Sequence, residues 1–373
     1  MQLEQISIIN YKNIEQADLE FSANVNCFVG MNGMGKTNLL DAIYYLSFCK
    51  SATTSSDAYN VCHGADFFMI QGTYGGDTGG IDKVNCAVKK GSRKRVKCND
   101  KDCKRFSEHV GRIPLVMISP SDSLLVTGGS EERRRFMDTV ISQYEPKYLE
   151  CLIRYDKALK QRNALLKDEA EPDWSVVEIL EDMMSEAADV VFKERQVFVN
   201  DFIPIFQRIY NTLCNTEREL VDIEYVSHGF RGELKPQLVA GRTRERIIGY
   251  TLHGIHKDDL LLNFNSYPIK QDGSQGQTKT YFIAMKLAQF VFLKGKGEKR
   301  VPILLLDDIF DKLDAGRVAR IIDYVSGDEF GQIFITDTNR EHLDCILAAT
   351  AKDYRLFTVK EGKVDSIYGT KEI

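Results

Sequence analysis

The sequence predicts an α/β fold assembled from both ends of the chain around a mostly helical insert. Three observations predict it. Gly30-Met31-Asn32-Gly33-Met34-Gly35-Lys36-Thr37 has the G-x-x-x-x-G-K-T spacing of a Walker A loop, between an apolar run at Val25–Val29 and a helically spaced segment at 36–48. Ile303-Leu304-Leu305-Leu306-Asp307-Asp308 reads as a buried parallel strand that delivers two carboxylates at its end. Between these, from 129 to 251, almost all of the periodicity is helical. The resulting expectation is a head domain formed by 1–128 and 252–373, with a helical lid domain at 129–251.

Taken in order, Leu3, Ile6 and Ile8, then Leu19 and Phe21, then 25–29, predict three strands. A polar loop, 50–57, follows the first helix. Segments 67–73, 81–89 and 93–97 predict an antiparallel meander through glycine turns at 75–76, 79–80 and 91–92, and 113–118 predicts another buried strand. Ser130 is placed as a helix N-cap, with Glu131 and Glu132 in the first turn. Pro146 suits a first helical position, and 178–210 predicts a long amphipathic helix that Pro204 kinks or bounds. Segment 220–226 returns to strand alternation. Strands at 260–264, 301–306 and 332–336 then alternate with helices at 274–294, 315–325 and 340–349, before a hairpin at 353–367 turning at Glu361-Gly362-Lys363.

With 373 residues, 43% hydrophobic and 28% charged, the composition is that of an ordinary globular protein too long for one core. No apolar run reaches the ~18 residues of a membrane span. The N-terminus lacks a basic region followed by an apolar stretch, so the expected location is cytoplasmic, with no membrane partner. The nine cysteines contain no C-x-x-C and read as reduced core thiols. Cys98 and Cys103 flank a turn, but no histidine or second cysteine pair beside them completes a metal set. Cys62-His63 is likewise isolated.

A net charge of −5 leaves any nucleic-acid contact to local patches. One is Lys89, Lys90, Arg93, Lys94, Arg95, Lys97, Lys101, Lys104 and Arg105 around the predicted hairpin; the other is Arg133-Arg134-Arg135. A solvated face or helix-surface ion pairs is the alternative for each.

The Walker A pattern carries its chemistry in its geometry. Loop N–H groups and the helix N-terminus point partial positive charge at phosphates, Lys36 reaches the β/γ-phosphates of ATP, and the Thr37 hydroxyl sits on Mg²⁺. Asp307 holds the Mg²⁺ shell, usually through water, and Asp308 orients or deprotonates the attacking water. Gly273-Ser274-Gln275-Gly276-Gln277, just before a helix, resembles the signature motif of ABC-type ATPases. Its hydroxyl, glycine N–H and helix end make a second anion site, and a capped turn is the plainer alternative. Asp311-Lys312-Leu313-Asp314 resembles the D-loop, with Asp314 also suited to cap a helix. Asp337, in Thr336-Asp337-Thr338, occupies the switch position and could sense the γ-phosphate through water.

In sequence order the chain also carries Asn10-Tyr11-Lys12-Asn13, Asn38-Leu39-Leu40-Asp41-Ala42-Ile43, Ser119-Pro120-Ser121-Asp122, Glu132 to Asp138, and Gly254-Ile255-His256-Lys257-Asp258-Asp259-Leu260. With the three motifs these resemble the RecF family, bacterial recombination-mediator ATPases related to the SMC heads, nearly end to end. The resemblance implies an ABC-type ATPase head with a helical second domain and no long coiled coil. It implies an ATP-dependent homodimer in which Ser274, Gly276 and Gln277 of one subunit complete the site formed by Lys12, Gly30 to Thr37, Asp307 and Asp308 of the other. It further implies a dimer that binds duplex DNA near single-strand gaps, acts with RecO and RecR to load RecA, and is released by weak, DNA-stimulated ATP hydrolysis. Two departures stand out. Lys50-Ser51-Ala52-Thr53-Thr54 lacks the family's usual arginine, and Lys257 replaces another arginine, keeping the charge but not the bidentate fork. Rival readings are a non-hydrolysing structural clamp, a nuclease-linked overcoming-lysogeny ATPase and a transporter ATPase.

Overall fold

The computed structural model describes residues 1–75, 82–214, 219–297, 300–310, 313–327, 329–338 and 353–369. The chain divides into two compact units: Met1–Asp122 with Thr212–Cys214 and Ile283–Ile373, and Ser123–Asn211 with Asn215–Phe282.

The chain opens with β1 (Gln2–Tyr11), β2 (Ile14–Glu20) and β3 (Val25–Val29), then α1 (Lys36–Phe48). Next come β4 (Phe67–Gly75), β5 (Asp82–Lys89), β6 (Arg95–Cys98), β7 (Lys101–Asp102) and β8 (Leu115–Ile118). In β4 and β5 burial alternates residue by residue, because an antiparallel sheet packs one face and leaves the other wet. β8 is buried throughout although it is the edge strand of the parallel sheet.

The middle of the chain holds α2 (Leu124–Thr127), α3 (Ser130–Ile141), α4 (Pro146–Lys167), α5 (Trp174–Cys214), β9 (Val221–Val226), α6 (Leu234–Ile248), β10 (Asp259–Phe264), β11 (Tyr267–Pro268), α7 (Ile269–Asp272) and α8 (Gln275–Lys296). Glu145 caps α4 by accepting from the Lys147 N–H at 3.1 Å, with Pro146 first in the helix as expected. Three expectations are corrected. Ser130 is the first residue of α3, not its cap; Gly129 takes that position without a side-chain bond. Pro204 does not end its helix: α5 runs through it for 41 residues. The second unit extends to Phe282 instead of ending at 251, and it is not purely helical. β10 pairs with β9 from Asp259 against Val226 to Phe264 against Val221, and β11 completes a three-stranded sheet. The predicted strand at 260–264 therefore belongs to this unit and not to the head. Pairing between strands this far apart in sequence leaves no trace in local periodicity.

The chain then returns to the first unit with β12 (Ile303–Asp307), α9 (Ala315–Ser326), β13 (Ile333–Asp337) and the hairpin β14 (Tyr354–Lys360) and β15 (Lys363–Gly369). Asp314 caps α9 by accepting from the Arg317 N–H at 2.9 Å. Asp311, Lys312, the helix predicted at 340–349 and the glycine turns at 76 and 79–80 lie outside the described residues.

This unit contains two six-stranded sheets. One is antiparallel, in the order β2-β1-β4-β5-β6-β7. The other runs β15-β14-β3-β13-β12-β8, parallel except for β15. Helix α1 packs against strands of both, and Leu39, Leu40, Ile43 and Leu46 join Ile6, Ile8, Phe68, Leu305 and Phe334 in one core. Two sequence-distant segments thus build one sheet, with β3 and β12 separated only by β13.

Candidate functional site

The Walker A loop leaves β3 at the C-terminal edge of the parallel sheet, where open α/β folds place their ligands. Val29 pairs with Asp337 of β13 and Thr358 of β14, so the loop starts level with the end of β13. Gly30 passes so close to β14 that a Cβ there would collide with the Val359 carbonyl oxygen. The loop is braced from two sides. Asn13 donates from Nδ2 to the Met34 carbonyl at 3.3 Å, and Asn38 donates to Asn13 Oδ1 at 2.7 Å. From the other side comes the β14–β15 turn, where Glu361 and Gly362 both adopt left-handed conformations (φ 49° and 77°), as a tight two-residue hairpin requires. The Gly362 N–H donates to the Met34 carbonyl at 2.9 Å, and a Cβ on Gly362 would strike the Asn13 carbonyl.

Lys36, 6% exposed, donates from Nζ to the carbonyls of Gly30 at 2.5 Å and Met31 at 3.0 Å. Burial pulls its pKa below the usual lysine value, while Asp308, Asp307 and Asp337 oppose that shift. Thr37 Oγ1 lies 2.9 and 3.0 Å from the two carboxylate oxygens of Asp307, and Thr336 Oγ1 donates to Asp307 Oδ1 at 2.7 Å. Burial raises the Asp307 carboxyl, and the bonds from Thr336 and Thr37 partly offset it. Asp308 sits in the left-handed region (φ 48°), with its N–H donating to the Thr336 carbonyl at 3.2 Å and to Thr336 Oγ1 at 3.1 Å. A non-glycine residue held there is a local strain of the kind that collects at functional sites. Thr37 and Asp307 together offer hard oxygen donors around a buried carboxylate that favours a cation, and this set fits Mg²⁺.

Lys36, Thr37, Asp307, Asp308 and Asp337 are therefore brought together as expected. Thr336, which positions both acids, was missed; a threonine inside a buried strand gives no local signal. Lys12, also named from the sequence, is held by side chains of the chain itself. Its ammonium is bound to Asp41 Oδ2 and Thr53 Oγ1, each at 2.5 Å. Asp41, fully buried in α1, also accepts from Tyr11 at 2.6 Å, Ser51 at 2.7 Å and the Ala52 N–H at 2.6 Å. The stretch without its arginine is thus fastened beside the site by Asp41.

Ser274, Gly276 and Gln277 belong to the second unit, at the start of α8. Ser274 Oγ accepts from the Gln277 N–H at 3.2 Å, and Gln277 Oε1 accepts from the Ser274 N–H at 2.9 Å. This reciprocal pair is a capping box. Gln277 Nε2 also donates to Glu219 at 2.9 Å.

The stretch from 254 to 260 resolves into a buried polar network in the second unit. Asp258, fully buried, accepts from Arg195 at 2.7 Å and Tyr225 at 2.5 Å, and Arg195 also reaches Asp138 at 2.8 Å. Arg133 clamps Asp259 with bonds of 2.6 and 3.0 Å, Arg134 donates to the Asp258 carbonyl at 2.8 Å, and Arg135 pairs with Glu131 and Glu132. Arg133 and Arg134 are thus engaged within the fold, whereas exposed Arg135 makes helix-surface ion pairs. His256 faces the Thr251 carbonyl with Nε2 at 3.1 Å, which makes Nε2 the protonated nitrogen, and Nδ1 accepts from Tyr155 at 2.7 Å. Burial drops its pKa to about 4. In the hairpin cluster, Lys94 turns inward, 2.6 Å from the Cys49 carbonyl and 2.9 Å from Asp57, whereas Arg93, Arg95, Lys97, Lys101, Lys104 and Arg105 are exposed.

Comparison with known proteins shows the family. The family profile described as RecF/RecN/SMC N terminal domain matches residues 2–364. A relative from Phocaeicola vulgatus, named DNA replication and repair protein RecF, is 56% identical over 364 residues, covering 98% of each chain. A relative of the same name from Porphyromonas gingivalis is 44% identical over 365 residues, covering 98% of this chain and all of its own. A solved structure described as the recombination mediator protein RecF-ATPrS in the RecFOR pathway shares 27% identity at a TM-score of 0.86, over 98% of both chains. A Smc head domain from Pyrococcus furiosus, 16% identical at a TM-score of 0.58 over 98% of this chain and 96% of its own, shares the fold. The glycine loop, the paired acids on the neighbouring strand and the near-full-length matches lead to one conclusion: the chain belongs to the RecF family of SMC-type ATPase heads.

Proposed function

We propose that the protein is an ATP-switched DNA-binding protein of recombinational repair and replication restart. ATP binding joins two copies, the dimer engages duplex DNA near single-strand gaps and acts with RecO and RecR to load RecA, and slow hydrolysis resets it. The observation that carries this reading is the convergence of Lys36, Thr37, Asp307 and Asp308 at one sheet edge. Bound ATP with Mg²⁺ supplies the phosphoanhydride to be cleaved and the charge that neutralises it. Lys36 would exchange its two carbonyl partners for phosphate oxygens. Thr37 and Asp307 would hold the cation, and Asp308, fixed by Thr336, would orient the attacking water. The loop N–H groups, already shaped by Asn13, Asn38 and Gly362, require little reorganisation, which favours binding. In the dimer, Ser274, Gly276 and Gln277 of one copy face the triphosphate held by the other.

The test is a binding titration on gapped, duplex and single-stranded DNA with and without ATP–Mg²⁺. ATP should tighten binding to gapped duplex, and equal affinity with and without nucleotide refutes the switch. A non-hydrolysing clamp is the second reading, and the placement of Asp308 speaks against it. Turnover with and without DNA decides between the two.

A further inference from the structure

We propose that Cys98, Cys103 and His109 form a binding site for a divalent cation of the zinc class. Cys98 ends β6, and Cys103 follows β7. The register pairs Cys98 with Lys101 and Lys97 with Asp102, and the Cys103 N–H donates to the Val96 carbonyl at 2.8 Å. Cys103 therefore stands diagonal to Cys98 on the same, inward face of the hairpin. The two Sγ atoms are 3.2 Å apart, and His109 Nδ1 lies 3.3 Å from Cys98 Sγ. All three donor atoms fall within 4.8 Å of one another.

A second observation gives the cluster its polarity. His109 is 1% exposed, and its Nε2 is 2.6 Å from the Leu46 carbonyl oxygen. A carbonyl only accepts, so Nε2 carries the proton and the Nδ1 lone pair faces the thiols. Metal-binding histidines are oriented in the same way, with the far N–H tied to a carbonyl. Two soft sulfurs and an imidazole nitrogen select Zn²⁺ over Mg²⁺ or Ca²⁺. Two thiolates balance the charge of one divalent cation, which removes the cost of burying a net charge. Zn–S bonds of about 2.3 Å in a tetrahedral site set the sulfurs about 3.7 Å apart, so binding opens the pair by about half an ångström. Binding releases the two thiol protons to solvent. Three protein ligands leave a fourth position for water. Half-exposed Cys103 gives the entry path.

This corrects the sequence expectation that no histidine completes the pair. His109 is only six residues beyond Cys103, but the short helical turn Phe106–Glu108 is what folds it back. An ion here would fix the hairpin bearing Lys97, Lys101, Lys104 and Arg105 against the end of α1, through Leu46.

The experiment uses full-length protein without a polyhistidine tag, purified in a phosphine reductant and titrated with Zn²⁺ or Co²⁺. We expect about one metal per chain after gel filtration, and with Co²⁺ a thiolate-to-metal charge-transfer band that Zn²⁺ abolishes. Cys103→Ser, at a half-exposed position, should weaken affinity at least about tenfold with the circular dichroism spectrum unchanged. Cys62→Ser should behave as wild type. The proposal is overturned if wild type retains no metal, or if Cys103→Ser retains as much. It is also overturned if protein purified in air without reductant carries no metal and has an intact mass two hydrogen atoms lighter, dissolved oxygen having taken the two electrons and two protons, with Cys98 and Cys103 in one disulfide-linked peptide pair; the thiols are then a redox couple.

Discussion

Asp307 is held by two threonines from different segments, Thr37 of α1 and Thr336 of β13. Among the described residues, Lys36 beside it bonds only to carbonyls of its own loop. Lys36→Ala should therefore leave the fold intact, by circular dichroism, and abolish the heat of ATP–Mg²⁺ binding in calorimetry. An unchanged isotherm would remove the nucleotide site. His256 makes a second residue-level prediction. Its folded value of about 4 lies below the ordinary 6.5, so the unfolded chain binds a proton across that interval and the native state does not. Its contribution to stability is complete above pH 6.5 and falls as the pH drops towards 4. His256→Gln should flatten the pH dependence of the denaturant midpoint in that window, and an identical slope in the two proteins would exclude His256 as its source.

Among the elements, the second unit depends on its buried ions. Arg195 is bound by Asp138 and Asp258, and Arg162 by Glu181 and Glu245 at 2.9 and 2.7 Å. Removing one partner strands a charge, so Asp258→Ala should cost about 3–5 kcal/mol in urea unfolding followed at the second unit. A loss below about 1 kcal/mol would mean that water reaches Arg195. Close approach, not charge, governs the glycine loop. Gly30→Ala should weaken ATP binding by displacing the loop from Val359, with Ala42→Gly in buried α1 as a control that destabilises without moving the loop. These elements also show what local sequence conveys. Helix α1 was legible from helically spaced apolar residues behind a glycine motif, and strand β12 from a continuous apolar run ending in acids. The sheet β9–β10–β11 was not, because β9 and β10 stabilise each other only after α6 has been folded between them.

For the whole molecule, ATP-driven pairing is the prediction. Ser274→Arg alters an exposed helix start and should leave ATP binding by the monomer unchanged. Light scattering with a slowly hydrolysed analogue should show wild type shifting to dimer and the variant remaining monomeric; equal dimer fractions would exclude a shared site. The exposed hairpin lysines supply a second measurement. If Lys97 and Lys101 contact phosphates, replacing both with alanine should reduce the salt slope of DNA binding by about 2. An unchanged slope would place the DNA elsewhere.

The sequence by itself determined the glycine loop, the paired acids and the α/β class of the head. A glycine loop between strand and helix, and acids ending an apolar strand, are patterns whose physics is local, so reading them required no coordinates. Only the tertiary structure decided how distant residues are used. It placed Thr336 on Asp307, turned Arg133 and Arg134 inward to Asp259 and the Asp258 carbonyl, bound Lys12 to Asp41, and set His109 beside Cys98. A side chain's partner follows from which strands and helices meet. Burial then requires that each polar group find one, and neither condition is written in the residues flanking it.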